Sequence, residues 1–151
     1  MDSSKRIGKC IFDTAHQLKV ILDASFEDAD LNGLQARILG FVEHNNKSGK
    51  SVYQRDIEAE FKIRRSSVSS VLDTMEKNGY IIRCQSQHDA RLKQILLTEK
   101  ADKMGQQHRD AIDRFEENLT KNISVQETET LKYLLNKVLE NASVSGGDKD
   151  D

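Results

Sequence analysis

Proline and tryptophan are both absent from this 151-residue chain. Without proline nothing removes a backbone donor or fixes φ inside a helix, so long uninterrupted helices are expected. Cysteine is scarce as well. Cys10 and Cys84 stand far apart, which excludes a disulfide framework and a paired-cysteine zinc spacing. No run of about 18 apolar residues exists, so no membrane-spanning helix is expected. The opening residues Met1 to Arg6 lack the apolar centre of a signal peptide, which makes the cytoplasm the expected location. Nowhere does a nucleophile–base pair, a glycine-rich phosphate loop or a carboxylate dyad occur at a useful spacing. His16 and His44 are too scattered to build a metal site around. Neither an enzyme, a cofactor nor a metal is expected.

What the chain does have is charge, 32% of its residues, with 36% hydrophobic. The net charge is only −2, but it is unevenly spread. From Lys62 to Lys93 seven Lys/Arg face three acids, a net of +4, which leaves −6 for the remainder. A positive module in an acidic molecule suits a selective binder of nucleic acid.

That module lies within the most patterned stretch, Val52 to Thr98. Val68, Val71, Leu72 and Met75 recur at helical spacing, predicting a helix from about Arg64 to Gly79. Its opposite face carries Arg64, Arg65, Ser66, Ser67, Ser69 and Ser70. Serine competes for backbone groups and is a mediocre helix interior residue, so four of them beside two arginines suggest a face kept for contact. Gln54 to Phe61 reads as a preceding helix, with Ile57, Ala59 and Phe61 for packing, and Lys62-Ile63 as the turn of a helix-turn-helix. Gly79 can close the second helix in the left-handed conformation. Tyr80 to Cys84 and Gln94 to Leu97 then pair as strands around the polar loop from Gln85 to Lys93. The whole is a winged helix. Ser51-Val52-Tyr53 can add a short edge strand.

Long helices flank it. Ile7 to about Phe26 carries Ile11, Ala15, Leu18, Leu22 and Phe26 on one face, widened by Phe12 and Ile21. Asn32 and Gln35 have capping-box spacing at the start of a second helix, and Ser124 and Glu127 have it before the last one. Thr98 can cap a helix from Glu99 to about Asn118. In the last helix Leu131, Leu134, Leu135, Val138, Leu139 and Ala142 form a dense stripe. These terminal faces exceed what a small winged helix can cover, which predicts a homodimer. The expected architecture is mainly α, an α+β winged helix of about six helices with a two- to three-stranded wing sheet. Its parts are a dimerisation region from 1–30 and 99–142, a winged helix over 31–98, and a disordered acidic tail over 143–151.

Three segments together resemble the MarR family of winged-helix transcription regulators. They are Leu31 to Leu39, Ser66 to Ile81, and Asp89-Ala90-Arg91 through Leu97-Thr98-Glu99-Lys100-Ala101. The likeness runs from Ile7 to Ala142. It implies a homodimer on a pseudo-palindromic operator in double-stranded DNA, regulated by a small-molecule effector or by oxidation. In the family the residues matching Asp89 and Arg91 hold the wing, and that arginine enters the minor groove. The family often has Asp or Ser where Arg64 opens the recognition helix, leaving Ser66 to take the cap.

The site residues follow from both lines. Arg64, Arg65, Ser66, Ser67, Ser69 and Ser70 are the candidates for the major groove, and Arg91 for the minor groove, which attracts arginine where it is narrow. Asp89 braces Arg91, His88 and Lys93 lie beside it, and Gln54 and Lys62 are placed for backbone phosphates. His16, Phe41 and His108 are expected to line an effector cleft among the first, second and fifth helices. Cys10 is the redox candidate, because a peroxide-sensing branch places its cysteine near there. That branch surrounds its thiol with tyrosines, and the first helix has none, so the competing expectation is a buried, inert thiol. A zinc-sensing branch would put a second histidine one turn from His108, where Ile112 stands. The rival to a DNA binder is a winged helix that serves as a protein-interaction module.

Overall fold

The computed structural model describes residues 6–26 and 30–144, in which six helices and three strands form. In chain order these are α1 (Ile7–Ala24), α2 (Gly33–Lys47), β1 (Val52–Tyr53), α3 (Gln54–Phe61), α4 (Arg65–Lys77), β2 (Ile81–Gln85), β3 (Lys93–Leu97), α5 (Glu99–Leu119) and α6 (Val125–Val144). By packing, the chain divides into two compact units, 1–113 and 114–151, with the boundary inside α5. The fold class expected from the sequence is the one observed.

The first unit is built around the apolar faces of the helix-turn-helix. Val68, Leu72 and Met75 of α4 are buried against Ile57, Ile38, Val42 and Ile95 in one cluster. The three strands form an antiparallel sheet in the order β1-β3-β2, with Val52 opposite Ile95 and Arg83 opposite Ile95 on the other side. Alternation along the strands sends Ile81 and Ile95 inward and leaves Ile82 exposed. Ala59, expected to pack, is exposed, because two residues on from Ile57 it points to the far side of α3.

Local signals set several boundaries. Asn32 accepts from the Gln35 N–H at 2.9 Å and Gln35 Oε1 accepts from the Asn32 N–H at 2.9 Å, so α2 opens with the expected capping box. Gly79 takes a left-handed φ of +78° after α4. Thr98 Oγ1 accepts the Ala101 N–H at 3.3 Å and donates to the Gly79 carbonyl at 2.6 Å, tying the start of α5 to the end of α4. The cap of α4 departs from expectation. The helix begins at Arg65 with Arg64 as the N-cap and no side chain capping it, and Ser66 is already inside the first turn.

The broad stripe of α1 is buried only where the helix ends. Leu22 and Phe26 are inside, while Phe12 is 76% and Ile21 55% exposed. At that end the Gly33 N–H donates to Asp23 Oδ1 at 2.8 Å, and Asp23 also pairs with Lys19. Burial pushes the Asp23 carboxyl up, but these two partners outweigh it and hold it below the ordinary range. A Cβ on Gly33 would lie 2.6 Å from the Leu22 side chain, so only glycine allows this approach.

In the second unit, Ser124 and Glu127 form a reciprocal box at the start of α6, with bonds of 2.8 and 3.1 Å. Leu131, Leu134, Leu135, Val138 and Leu139 are all exposed. The helix runs through Val144, two residues into the stretch expected as tail, and 145–151 lie outside the described residues. No helix among the described residues is long and apolar enough to cross a membrane.

Candidate nucleic-acid interface

Arg64 and Arg65 sit at the start of α4 because the chain leaves α3 through Lys62, whose φ of +52° is left-handed. That conformation is costly for a residue with a Cβ, and it lets a two-residue turn reverse the chain. Arg64, Arg65, Ser66, Ser67 and Ser70 are exposed, in the first two turns of α4. The free N–H groups of a helix start add a positive potential to that of the two guanidiniums. Lys62 is exposed beside them.

Ser69 is half-buried and already engaged. Gln54 Nε2 donates to Ser69 Oγ at 2.9 Å and to Glu58 Oε1 at 3.2 Å. Gln54, expected to reach phosphates, is therefore also a brace between α3 and α4. With its oxygen accepting from Gln54, the Ser69 hydroxyl keeps its proton to donate outward.

The wing is shaped by its own backbone. The Arg91 N–H donates to Asp89 Oδ1 at 2.9 Å, and the Leu92 N–H to the Asp89 carbonyl at 3.0 Å, closing the tip. The Ser86 N–H donates to the Leu92 carbonyl at 2.8 Å, and the His88 N–H to Ser86 Oγ at 3.2 Å. The Arg91 guanidinium is 3.6 Å from Asp89, and its side chain is 93% exposed. His88 and Lys93 are exposed on either side of that tip.

The two readers meet across one hollow of about 350 Å³, bordered by Gln54, Arg65 and Ser69 and by Arg91 and Lys93. Arg55 and Arg83 join it, and neither was singled out by the sequence. Arg55, on the first turn of α3, lies over the Tyr53 ring at 5.5 Å. The signal for it was present, since Gln54 next to it was chosen on position alone. Arg83 had been counted only as charge. It pairs with Glu76 and Asp73, and its hydrogen bond pulls the Glu76 carboxyl below the ordinary range.

The other candidates do not assemble. His16 is exposed on α1. Phe41 packs edge-on against Phe61 beside a hollow of about 420 Å³ that also touches Arg37, Arg109 and Ile112 but neither His16 nor His108. His108 is buried with its ring 5.3 Å from Phe26, and Nδ1 has no hydrogen-bond partner among the described residues. Burial pushes its pKa below the ordinary imidazole value. Arg109 bonds Glu43, which Lys47 also holds; burial raises the Glu43 carboxyl, and these two cations bring it below the ordinary range. Cys10 is exposed, against the expectation of a buried thiol, on a side of α1 that no described residue buries. Among the described residues no group of three or more His, Cys, Asp or Glu is placed to hold a metal ion.

Residues 29–92 match the family model described as the MarR family. Three solved structures share the fold over almost all their own length. A MarR transcription regulator from Oenococcus oeni is 27% identical, with 89% of this chain and 99% of that one covered at a TM-score of 0.77. MepR from S. aureus, solved as a DNA complex, is 26% identical over 90% and 98% of the two chains, with a TM-score of 0.80. A SlyA-like transcription regulator from Listeria monocytogenes is 25% identical over 97% and 99%, with a TM-score of 0.74. Residues 29–92 thus match the MarR family model, and α3, α4 and the β2–β3 wing give the chain the winged helix-turn-helix fold of these MarR-type transcription regulators.

Proposed function

We propose that this protein is a homodimeric, sequence-specific repressor. The start of α4 reads base edges in the major groove while Arg91 on the wing tip enters the adjacent minor groove. The observation that carries this reading is the convergence of Arg65 and Ser69 with Arg91 and Lys93 around one hollow, so that a single duplex surface can meet both. Lys62, Arg64 and Arg65 make no salt bridge among the described residues, and their charge is available to phosphates. Phosphate contacts supply affinity and base edges supply choice. MepR, of similar fold, binds DNA in its solved structure.

Dimerisation through 1–30 and 99–142 accounts for the exposed faces of α1 and α6 and would place two copies of α4 on the two half-sites of a palindrome. An effector in the hollow beside Phe41 would touch α2, α3 and α5 and could shift the balance between arrangements of the dimer. Oxidation of the exposed Cys10 on α1 is the alternative input to such an effector. No catalytic role is assigned.

Selection of bound sequences from a random DNA pool tests the core of this reading. The expected result is a pseudo-palindrome with half-sites about one helical turn apart, about 10 base pairs between centres. Absence of any sequence preference at moderate salt overturns it and favours a protein-interaction module.

A further inference from the structure

Arg83 is the one cation of the positive module that is drawn inward. It lies on β2 between the outward Ile82 and the half-buried Cys84, and its side chain is only 18% exposed. Its own N–H donates to Glu76 Oε1 at 3.0 Å. Nε donates to Glu76 Oε2 at 3.1 Å, and Nη2 to Glu76 Oε2 at 2.7 Å and to Asp73 Oδ1 at 2.6 Å. Asp73 and Glu76 are one turn apart on α4, so one residue of the wing sheet grips two successive turns of the recognition helix.

The bonds are charge-assisted, and the planar guanidinium fork spans two carboxylates as an ammonium would not. Isolated surface ion pairs add little stability. The effect of this one is geometric. Two residues beyond Arg83 β2 ends at Gln85, where the loop carrying Arg91 begins. The sheet has β2 at its edge, with β3 as its only strand neighbour among the described residues. The grip therefore fixes the origin of the wing against α4 at a point that sheet pairing alone leaves free on one side.

We infer that Arg83 is a positioning residue: through Glu76 and Asp73 it sets the separation between α4 and the wing, so that the major-groove and minor-groove contacts are made together. This rests on the DNA-binding reading above and deepens it. It also bears on why two acids are tolerated beside a phosphate-seeking face, since Arg83 pairs with both and offsets half of their charge.

The test combines amide hydrogen exchange on the free protein with binding to the selected DNA, for the full chain and for Arg83→Gln, Arg83→Lys and Glu76→Gln, each with and without Arg91→Ala. Arg83→Gln should raise exchange in β2 and the wing loop by about tenfold while the amides of α2 keep theirs. In the unaltered background Arg91→Ala should cost about fivefold in affinity. In the Arg83→Gln background it should cost less than about twofold, because the wing no longer arrives with α4. Arg83→Lys should behave like Arg83→Gln. Unchanged wing exchange overturns the inference. So does an Arg91→Ala cost that is equal in both backgrounds, with the salt slope lowered by about one on losing Arg83, since that describes a direct phosphate contact. If no variant, nor the parent, prefers any DNA sequence, the DNA reading fails, and the exchange result still decides whether Arg83 holds the wing.

Discussion

Residues 31–101 turn Ile38, Val42, Ile57, Leu72 and Ile95 fully inward, whereas α1 and α6 leave Phe12, Ile21, Leu131 and Leu134 half or more exposed. Both regions carry apolar stripes of helical period. The periodicity states that a face is to be buried, and the packing of the same chain says whether its partner is present. In the winged helix α2, α3, α4 and the sheet cover one another. Along α1 and α6 each exposed large side chain forgoes roughly half of the about 1.5–3 kcal/mol that full burial gives, a deficit that association of two copies can make good.

Substitutions can break that comparison or sharpen it. Leu72→Ala, in the fully packed region, should destabilise the fold by about 2–5 kcal/mol in urea titration, with no room for the cavity to close. The double change Leu131→Asp with Leu134→Asp should leave the winged helix folded by circular dichroism, turn the protein monomeric in sedimentation equilibrium, and weaken operator binding by about a hundredfold through loss of the second half-site. A dimer that survives it would remove α6 from the interface. Gly33→Ala lies where α1 meets the packed region, and the displaced Leu22 should cost about 1–3 kcal/mol. Arg91→Ala touches neither apolar set. It should cost about fivefold in gel-shift affinity with thermal stability unchanged.

The smallest effect concerns His108, packed on Phe26 at the end of α1. Burial lowers its folded-state pKa, so the fold prefers the neutral ring. The associated stability is complete above the unfolded value of 6.5 and is lost as pH falls through the lower folded value. His108→Phe should flatten the loss of stability as pH falls below the ordinary imidazole value. An unchanged slope would show that other groups set it.

Much of the frame was legible because its signals are local. The two capping boxes, Gly79 after α4, and the stripe of Val68, Leu72 and Met75 each need only a few consecutive residues to be recognised. The candidate interface was legible as residue types in order, Arg64 to Ser70 and then Arg91. Its internal wiring was not. Gln54 as a brace on Ser69 and Arg83 as a grip on Glu76 and Asp73 depend on side chains brought together from different elements. Likewise His16, Phe41 and His108 were grouped through the cleft that the resemblance implies, yet they stand in different surroundings: exposed, beside Phe61, and against Phe26.

By itself, then, the sequence determined which segments form helices and strands, which faces are apolar, and where positive charge gathers. Those properties follow from backbone sterics, capping and periodicity over a few residues. Only the tertiary structure decided which stripes find a partner within the chain, which arginine faces solvent and which is held by carboxylates, and that wing and recognition helix border one hollow. These are outcomes of packing between distant segments, where the distance between two side chains is set by every element that lies between them.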